Sequence, residues 1–380
     1  ARRCNDRHAR SMLNVHTPTL SYPAAPPHRL GQAAVFSYMK YCTAAAEFFQ
    51  VQGACCVKKS FGVAGFTLLL AFFLPFSALL LPRQTAPSAP APLPEPTLPP
   101  LPTAAPAATP APGTVTVWDA AVQQERTLAL PEFLVGLAAC EMPPDWPADA
   151  LCAQMVAGYS YALALGDTPL QVNSAQCLGW TDSDVLKARW GEDYARFYAR
   201  LTQAAQTVNG CVLTYDGSPA AACYHSISAG HTEASQNVWE TALPYLQGVP
   251  SPADLAADGY EVTVEYSPEQ VSAVLLSLEL TPGSDPAAWF GDAVRDDAGY
   301  VTAQTVCGNR VAGTKMRRAF HLRSASYTVE YDGTSFCFVT HGYGHGVGLS
   351  QYGAKALAEQ GSTWQEILLY YFPGCEVRQP

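Results

Sequence analysis

The sequence predicts an α+β fold: a single extracytoplasmic domain of mixed helices and antiparallel strands and hairpins, preceded by one transmembrane helix and a proline-rich linker. Three observations predict it. Segments with helical spacing of apolar residues alternate irregularly with Asp-Gly hairpins, without the regular β-α rhythm of a parallel sheet. A run of 21 residues without a charge, Phe61–Leu81, divides the 380-residue chain. Immediately after it, Pro82–Gly113 packs 12 prolines into 32 residues.

The two sides of that divider differ in kind. Of 22 Lys and Arg, 9 lie before Thr114, opposed only by Asp6, Glu47 and Glu95; the remainder carries 13 basic and 29 acidic residues. An acidic body of this kind repels polyphosphate, so nucleic acid is excluded as a partner. Residues 1–56 begin with Ala, show no sustained period and read as an extension of doubtful status, with translation expected to start at Val57 from an alternative codon; a genuine cytoplasmic tail is the other reading. Residues 57–82 read as a basic cytoplasmic end, Lys58 and Lys59, followed by the anchor, since a helix of this length spans about 30 Å of hydrocarbon. A cleaved signal peptide competes, but its apolar core is only about 7–15 residues long. The linker, residues 83–113, favours polyproline II at about 3.1 Å per residue and so reaches up to ~100 Å with Pro82 included. The chain is therefore expected at the cell membrane, crossing once, with residues 114–380 outside.

Within that body the elements follow in order. Thr114–Trp118 reads as a strand, and a helix starts near Pro131, a natural first-turn residue. A turn at Pro143–Pro147 leads into a helix over Ala148–Leu165. Another helix, Asp184–Val208, carries Leu186, Trp190, Tyr194, Phe197 and Leu201 at helical spacing. Asp216-Gly217 turns a hairpin between Cys211–Tyr215 and Ala220–His225; Asp332-Gly333 does so between Ser326–Tyr331 and Ser335–Thr340. Strand-like runs occur at Tyr260–Tyr266 and Tyr300–Val306. Helices near Ser350–Gln360 and Thr363–Tyr371 close the chain, the last with Thr363 and Glu366 spaced as a capping box.

Three stretches carry residues capable of chemistry. Glu141 ends the helix that begins near Pro131, where the macrodipole disfavours a carboxylate and burial raises its pKa; such a group can serve as a general acid. An ordinary solvent-facing Glu is the plain alternative. Glu132, nine residues earlier, faces the opposite side, so no local two-carboxylate pair exists. His341–Ala354, HGYGHGVGLSQYGA, has glycines at every second position from 342 to 348, fails the dinucleotide and nucleophile-elbow fingerprints, and suits a neutral polymer such as a sugar chain, or else forms a tightly packed structural loop. Tyr224–Thr232, YHSISAGHT, offers His225 and His231 to zinc with Cys223 nearby, against the commoner hydrogen-bonded structural histidine. The eight cysteines beyond Thr114 permit 105 pairings and contain no C-x-x-C.

Four stretches, LAACEMPPDWPADALCAQMVAGYSYAL, CVLTYDG with CYHSISAGHTEASQNVWE, FHLRSASYTVEYDG, and GYGHGVGLSQYGAKALAEQGSTWQEILLYYFPG, closely resemble the stage II sporulation protein D family, relatives of the amidase enhancer. The resemblance covers residues 115 to 378 or so. It implies a peptidoglycan lytic transglycosylase acting on glycan strands stripped of stem peptides during engulfment, beside an amidase of stage II protein P type and a membrane scaffold of stage II protein M type. The family's catalytic Glu, in A-A-E-M-P, falls on Glu141. Two departures stand out: Tyr159 occupies the position of the family's Arg in A-A-R-T-Y, leaving Arg323 to take its role or activity weakened, and Ser228-Ala229-Gly230 replaces Ser-Gly-Gly. Some members bind zinc near this segment, in a pattern that does not match the spacing here. On this reading Glu141 acts alone as acid and then base, with no cofactor or metal, and His345, Ser350, Gln351, Tyr352, Arg323 and His225 hold the glycan. The alternative is a non-catalytic glycan-binding module that recruits or enhances an amidase.

Overall fold

A computed structural model describes residues 113–173, 178–239 and 241–379. The doubtful extension, the apolar stretch Phe61–Leu81 and the linker up to Pro112 lie outside them. Among the described residues no helix is long and apolar enough to cross a membrane.

The described body is α+β. Strands β1 (Thr114–Asp119) and β2 (Gln124–Ala129) form an antiparallel hairpin that runs directly into helix α1 (Leu130–Glu141). Pro131 sits in the first turn of α1, and the helix is buried on most sides, through Phe133, Leu134, Val135, Leu137 and Ala138. Helix α2 (Ala148–Leu165) ends at Gly166 in the left-handed region, φ 74°. Its Gly158 lets α1 approach closely, since a Cβ there would lie 2.8 Å from a Leu137 methyl. Strand β3 (Leu170–Val172) then adds to β1 in parallel.

The expected long helix over 184–208 is two helices, α3 (Ser183–Trp190) and α4 (Tyr194–Thr207), joined by a single 3-10 turn at Gly191–Asp193. Gly191, at φ 52°, breaks the α-helical path, and Asp182 caps α3 by accepting from the N–H groups of Asp184 and Val185. The apolar spacing survives the break because Trp190 still packs edge-on against Phe197, 5.6 Å between centroids.

The first expected hairpin is only partly formed. Strand β4 (Val212–Tyr215) turns at Asp216-Gly217 and pairs with β5 (Ser218–Pro219), and one further bond, from the Ala220 N–H to the Leu213 carbonyl at 2.9 Å, continues the register past Pro219. The next strand, β6 (Tyr224–His225), pairs elsewhere, as described below. After a short helix α5 (Ser235–Trp239) the chain enters a second group of elements: β7 (Glu261–Tyr266), α6 (Pro268–Ser277), β8 (Phe290–Arg295), β9 (Val301–Val306), β10 (Asn309–Ala312), α7 (Gly313–Ala319), β11 (Tyr327–Tyr331) and β12 (Phe336–His341). Strands β8, β9 and β10 make one antiparallel sheet; β11, β12 and β7 make another, with Tyr331 opposite Phe336 across the Asp332-Gly333 turn as expected. The chain then returns through β13 (Leu349–Ser350), α8 (Gln351–Glu359), α9 (Trp364–Tyr371) and β14 (Glu376–Arg378), which pairs with β4. The predicted capping box of Thr363 and Glu366 starts α9. An unanticipated one, Ser267 with Gln270, starts α6.

The buried apolar residues gather into two clusters. One joins α1, α2, α4, β1 and β4 to Val347, Leu349, Ile367 and Phe372 of the returning chain. The other has its buried residues between 271 and 338, around Phe320, Phe336 and Phe338, with Tyr266 packed against them. Phe338 is fully buried and meets Phe320 at 4.8 Å, Phe290 at 5.7 Å and Tyr266 at 5.7 Å between ring centroids. Phe338→Ala should therefore cost about 3–5 kcal/mol in urea-denaturation experiments; a loss well below ~1 kcal/mol would show that the second cluster does not support the fold.

Candidate active site

The site is assembled from three distant segments. Glu141 is the last residue of α1. Its carboxyl is bonded by the Tyr224 hydroxyl from β6, the Gln351 side chain from the first turn of α8 and the backbone N–H of Gly179. Gly179 must be small: a Cβ there would stand 3.2 Å from the Cys140 Cβ and 3.4 Å from Glu141 Oε1. Its strand-like approach is held by Asn173, whose side chain accepts from the Trp180 N–H at 2.8 Å and donates to Asp119 Oδ1 at 3.1 Å.

What brings Tyr224 beside Gln351 is a two-residue parallel pairing of β6 with β13, Leu349 against Tyr224 and Ser350 against His225. Ser350 then caps α8 by accepting the Gly353 N–H at 3.2 Å, so Gln351 points from a fixed helix start. Gln351 Nε2 also donates to Gln154 Oε1 of α2 at 3.3 Å. The glycines of the 342–348 loop serve this pairing. At Gly348, φ 74°, an added Cβ would lie 2.1 Å from the Cys223 carbonyl oxygen; at Gly344, φ 121°, it would lie 2.6 Å from the His225 Cβ. The close backbone approach that the sequence reserves for a ligand is thus made to the protein's own 223–228 segment.

Burial pushes the Glu141 carboxyl up to about 7 from an ordinary 4.5, against the pull of its three donors. Tyr224 is held well above its normal range, first by burial and then by the neighbouring Glu141 carboxyl and Tyr161. These surroundings favour the proton on Glu141 up to about 7 yet carry donors ready to receive its ionised form. Partly exposed aromatic rings and cations gather about Tyr352, the residue after Gln351. Tyr352 meets Trp146 edge-on at 4.9 Å, Lys355 lies over Trp146 at 5.9 Å, and Arg323 stacks on Tyr343 at 4.2 Å while donating to the Gly259 carbonyl. The charges of Lys355 and Arg323 both reach the Tyr352 hydroxyl.

Of the residues expected to hold a ligand, Gln351 touches Glu141, and Tyr352 and Arg323 belong to these partly exposed surroundings. Ser350 and His225 are placed otherwise: they are 0% and 4% exposed and face inward. Ser350 caps α8. His225 Nδ1 lies 3.1 Å from the Val347 carbonyl, and burial lowers its pKa to about 4, so the ring is neutral. His345 accepts from the Val347 N–H at 3.1 Å, bonds the Tyr224 backbone, and packs its ring 5.8 Å from His225 and 5.0 Å from Trp239; burial holds it neutral too. These two imidazoles brace the strand that presents Tyr224. Zinc gains no support: His231 Nδ1 faces the Thr232 carbonyl at 2.7 Å, and among the described residues no three metal-ligating side chains are grouped. Tyr159 is a core residue set edge-on to Phe133 at 6.2 Å. Glu132 is exposed. Tyr224, Gln154 and Gly179 carry no local signal in the sequence, because their place in the site comes from contacts with distant segments.

A family model described as stage II sporulation protein matches residues 119–215, which include Glu141. The chain is similar to stage II sporulation protein D of Bacillus amyloliquefaciens, 31% identical over 281 residues that cover 71% of this chain and 80% of that protein. It is similar to the Bacillus subtilis (strain 168) protein of the same name at 29% over 279 residues, again 71% and 80%. The amidase enhancer of Bacillus subtilis (strain 168) is 27% identical over 299 residues, 63% of this chain and 39% of that protein.

The raised Glu141 pKa makes a stability prediction. The folded state holds this proton more tightly than the unfolded chain, so the benefit is full below about 4.5 and is lost as the pH rises through about 7. At pH 8 the buried carboxylate should cost up to ~3 kcal/mol. Glu141→Gln should accordingly be more stable than the parent protein at pH 8 and nearly equal to it at pH 4.5, measured by chemical denaturation; a pH-independent difference would contradict the burial argument.

Proposed function

We propose that this chain, which belongs to the stage II sporulation protein D family, is a lytic transglycosylase that cleaves peptidoglycan strands stripped of their stem peptides. The observation that carries the reading is the Glu141 carboxyl, kept protonated to about 7 by burial while three donors stand ready for its ionised form. Protonated Glu141 gives its proton to the glycosidic oxygen between N-acetylmuramic acid and N-acetylglucosamine, and that C–O bond breaks. The resulting carboxylate, stabilised by Tyr224, Gln351 and Gly179, takes the proton of the muramyl 6-hydroxyl as its oxygen closes on C1. A 1,6-anhydro ring forms, water is not consumed and Glu141 is protonated again. None of the groups that bond Glu141 is a carboxylate, which suits a mechanism with one acid–base residue rather than two. The rings of Trp146 and Tyr352 and the Arg323 guanidinium supply stacking faces and charge for the glycan.

In the same reading the Phe61–Leu81 stretch anchors the protein once in the cell membrane, and the Pro/Ala linker carries the acidic body out to the wall. Its partners are the glycan strands, an amidase of stage II protein P type that strips them, and a scaffold of stage II protein M type, acting together in engulfment during sporulation. A second reading, a glycan-binding module that enhances an amidase, is favoured by the relative named amidase enhancer and by Tyr159 in place of Arg.

Product analysis on denuded glycan separates the two. Anhydro-muramyl ends are expected from the first, binding without cleavage from the second. Glu141→Gln should lower cleavage by about 10²–10⁴-fold with glycan binding retained, while exposed Glu132→Gln should behave as the parent. Cleavage by Glu141→Gln at the parental rate would remove Glu141 from the mechanism.

The pH profile gives an independent check. The first step needs protonated Glu141, so kcat/KM on denuded glycan should fall as the pH rises through about 7. Tyr224→Phe deletes a hydrogen bond that favours the ionised form, so its profile should move to higher pH. A Tyr224→Phe profile identical to the parent's would show that this hydroxyl does not govern the acid.

A further inference from the structure

The two motifs singled out in the sequence, at 224–232 and 341–354, share a buried partner that neither contains. Asp254 lies in a 3-10 turn, Pro252–Ala256, and is fully buried. Its Oδ2 accepts the Ser228 N–H at 2.9 Å and the Ser228 hydroxyl at 2.5 Å. Its Oδ1 accepts the Ser350 hydroxyl at 2.9 Å, and the Ser251 side chain bonds it as well. Among the described residues it forms no ion pair. A carboxylate buried without a counter-charge is costly, and it is held here by hydroxyls and an amide alone. Those hydroxyls belong to the residues that set the site's geometry. Ser350 caps α8, whose first residue is Gln351, and the Tyr352 N–H next to it bonds the Ser226 carbonyl at 3.1 Å. Ser228 ends the short run that begins with Tyr224.

We propose that Asp254 is a positioning residue for Glu141: through Ser350 it fixes the start of α8 and so the Gln351 side chain, and through Ser228 it fixes the segment that presents Tyr224. This rests on Glu141 being the acid–base group. Asp254 does not touch that carboxyl. It acts by keeping two of its three hydrogen-bond donors in place.

The test reads Glu141 directly. Carbon-13 at the glutamate carboxyl gives its titration midpoint by NMR, assigned by the signal lost in Glu141→Gln. The groups facing Glu141 are Tyr224 on β6, with Tyr161 and Cys140 near that hydroxyl, Gln351 on α8, and the Gly179 N–H. Asp254→Ala should release Gln351 and Tyr224, whose bonds favour the ionised form, so the midpoint should move to higher pH. Cleavage of denuded glycan should fall about 10–100-fold in kcat with KM changed little. Asp254→Asn, which keeps the shape and can still bond both serines, should recover most of both. Ser350→Ala removes the Asp254 link to α8 together with the Gly353 cap and the bond to the Ser226 carbonyl, and should move the midpoint the same way, while the double variant Asp254→Ala/Ser350→Ala should lose less than the sum of the two. Strictly additive losses overturn the proposal; if Asp254→Ala fails to fold, an unmoved midpoint in folded Ser350→Ala overturns it instead. A shifted midpoint in a protein that never cleaves glycan would instead sink the transglycosylase reading and leave the positioning role standing.

Discussion

Two residue pairs, Leu349 with Tyr224 and Ser350 with His225, join segments about 125 residues apart and hold the site together. A parallel pairing this short contributes little hydrogen bonding of its own, so the surroundings must hold it. Gly348 leaves room for the Cys223 carbonyl, which accepts the Leu349 N–H at 3.0 Å, His225 and His345 bond Val347, and Asp254 ties Ser228 to Ser350. Everything the site needs from β6 and α8 depends on this joint. Displace it and Glu141 keeps its helix but loses two of the three groups that bond it.

The electrostatics follow from the same packing. Desolvation at the end of α1 raises the Glu141 pKa, and the donors from β6, α8 and Gly179 limit the rise to about 7. Without the donors, burial alone would hold the proton too firmly for the group to act as a base. Without burial, the carboxyl would be ionised at neutral pH and could not act as an acid. The neutral state of His225 and His345 matters too, because a charged imidazole against the β6 backbone would compete for Tyr224 and pull the Glu141 pKa down.

The second apolar cluster explains how a site made from the first can use residues from far along the chain. Residues 271–338 bury their own aromatic core around Phe338, so the excursion between the two motifs folds around itself. It delivers β12 to Gly342 at the point where the loop meets Ile227 and Tyr343. From the same excursion come Arg323, stacked on Tyr343, and the Tyr300 hydroxyl, which accepts the Ala229 N–H at 3.1 Å.

The mixed α+β class, the helices at 130–141 and 148–165, the Asp332-Gly333 hairpin and the capping box of α9 were legible because each is encoded locally, by periodicity, turn chemistry or a three-residue spacing. The place of Glu141 at the end of a helix was legible from the apolar spacing before it and the prolines after it. Its partners were not. The strand β6 is two residues long and shows no period, and its partner lies beyond a whole second core, so the sequence suggested a hairpin with β4 that in the structure stops short of β6. Likewise the Ser and His residues of the two motifs read as ligand contacts, yet the fold buries Ser350 and His225 to fasten backbone to backbone. The amino-acid sequence determined which group can carry the proton; only the tertiary structure decided its pKa and its donors, because desolvation and long-range hydrogen bonds depend on which distant segments the packed cores bring within reach.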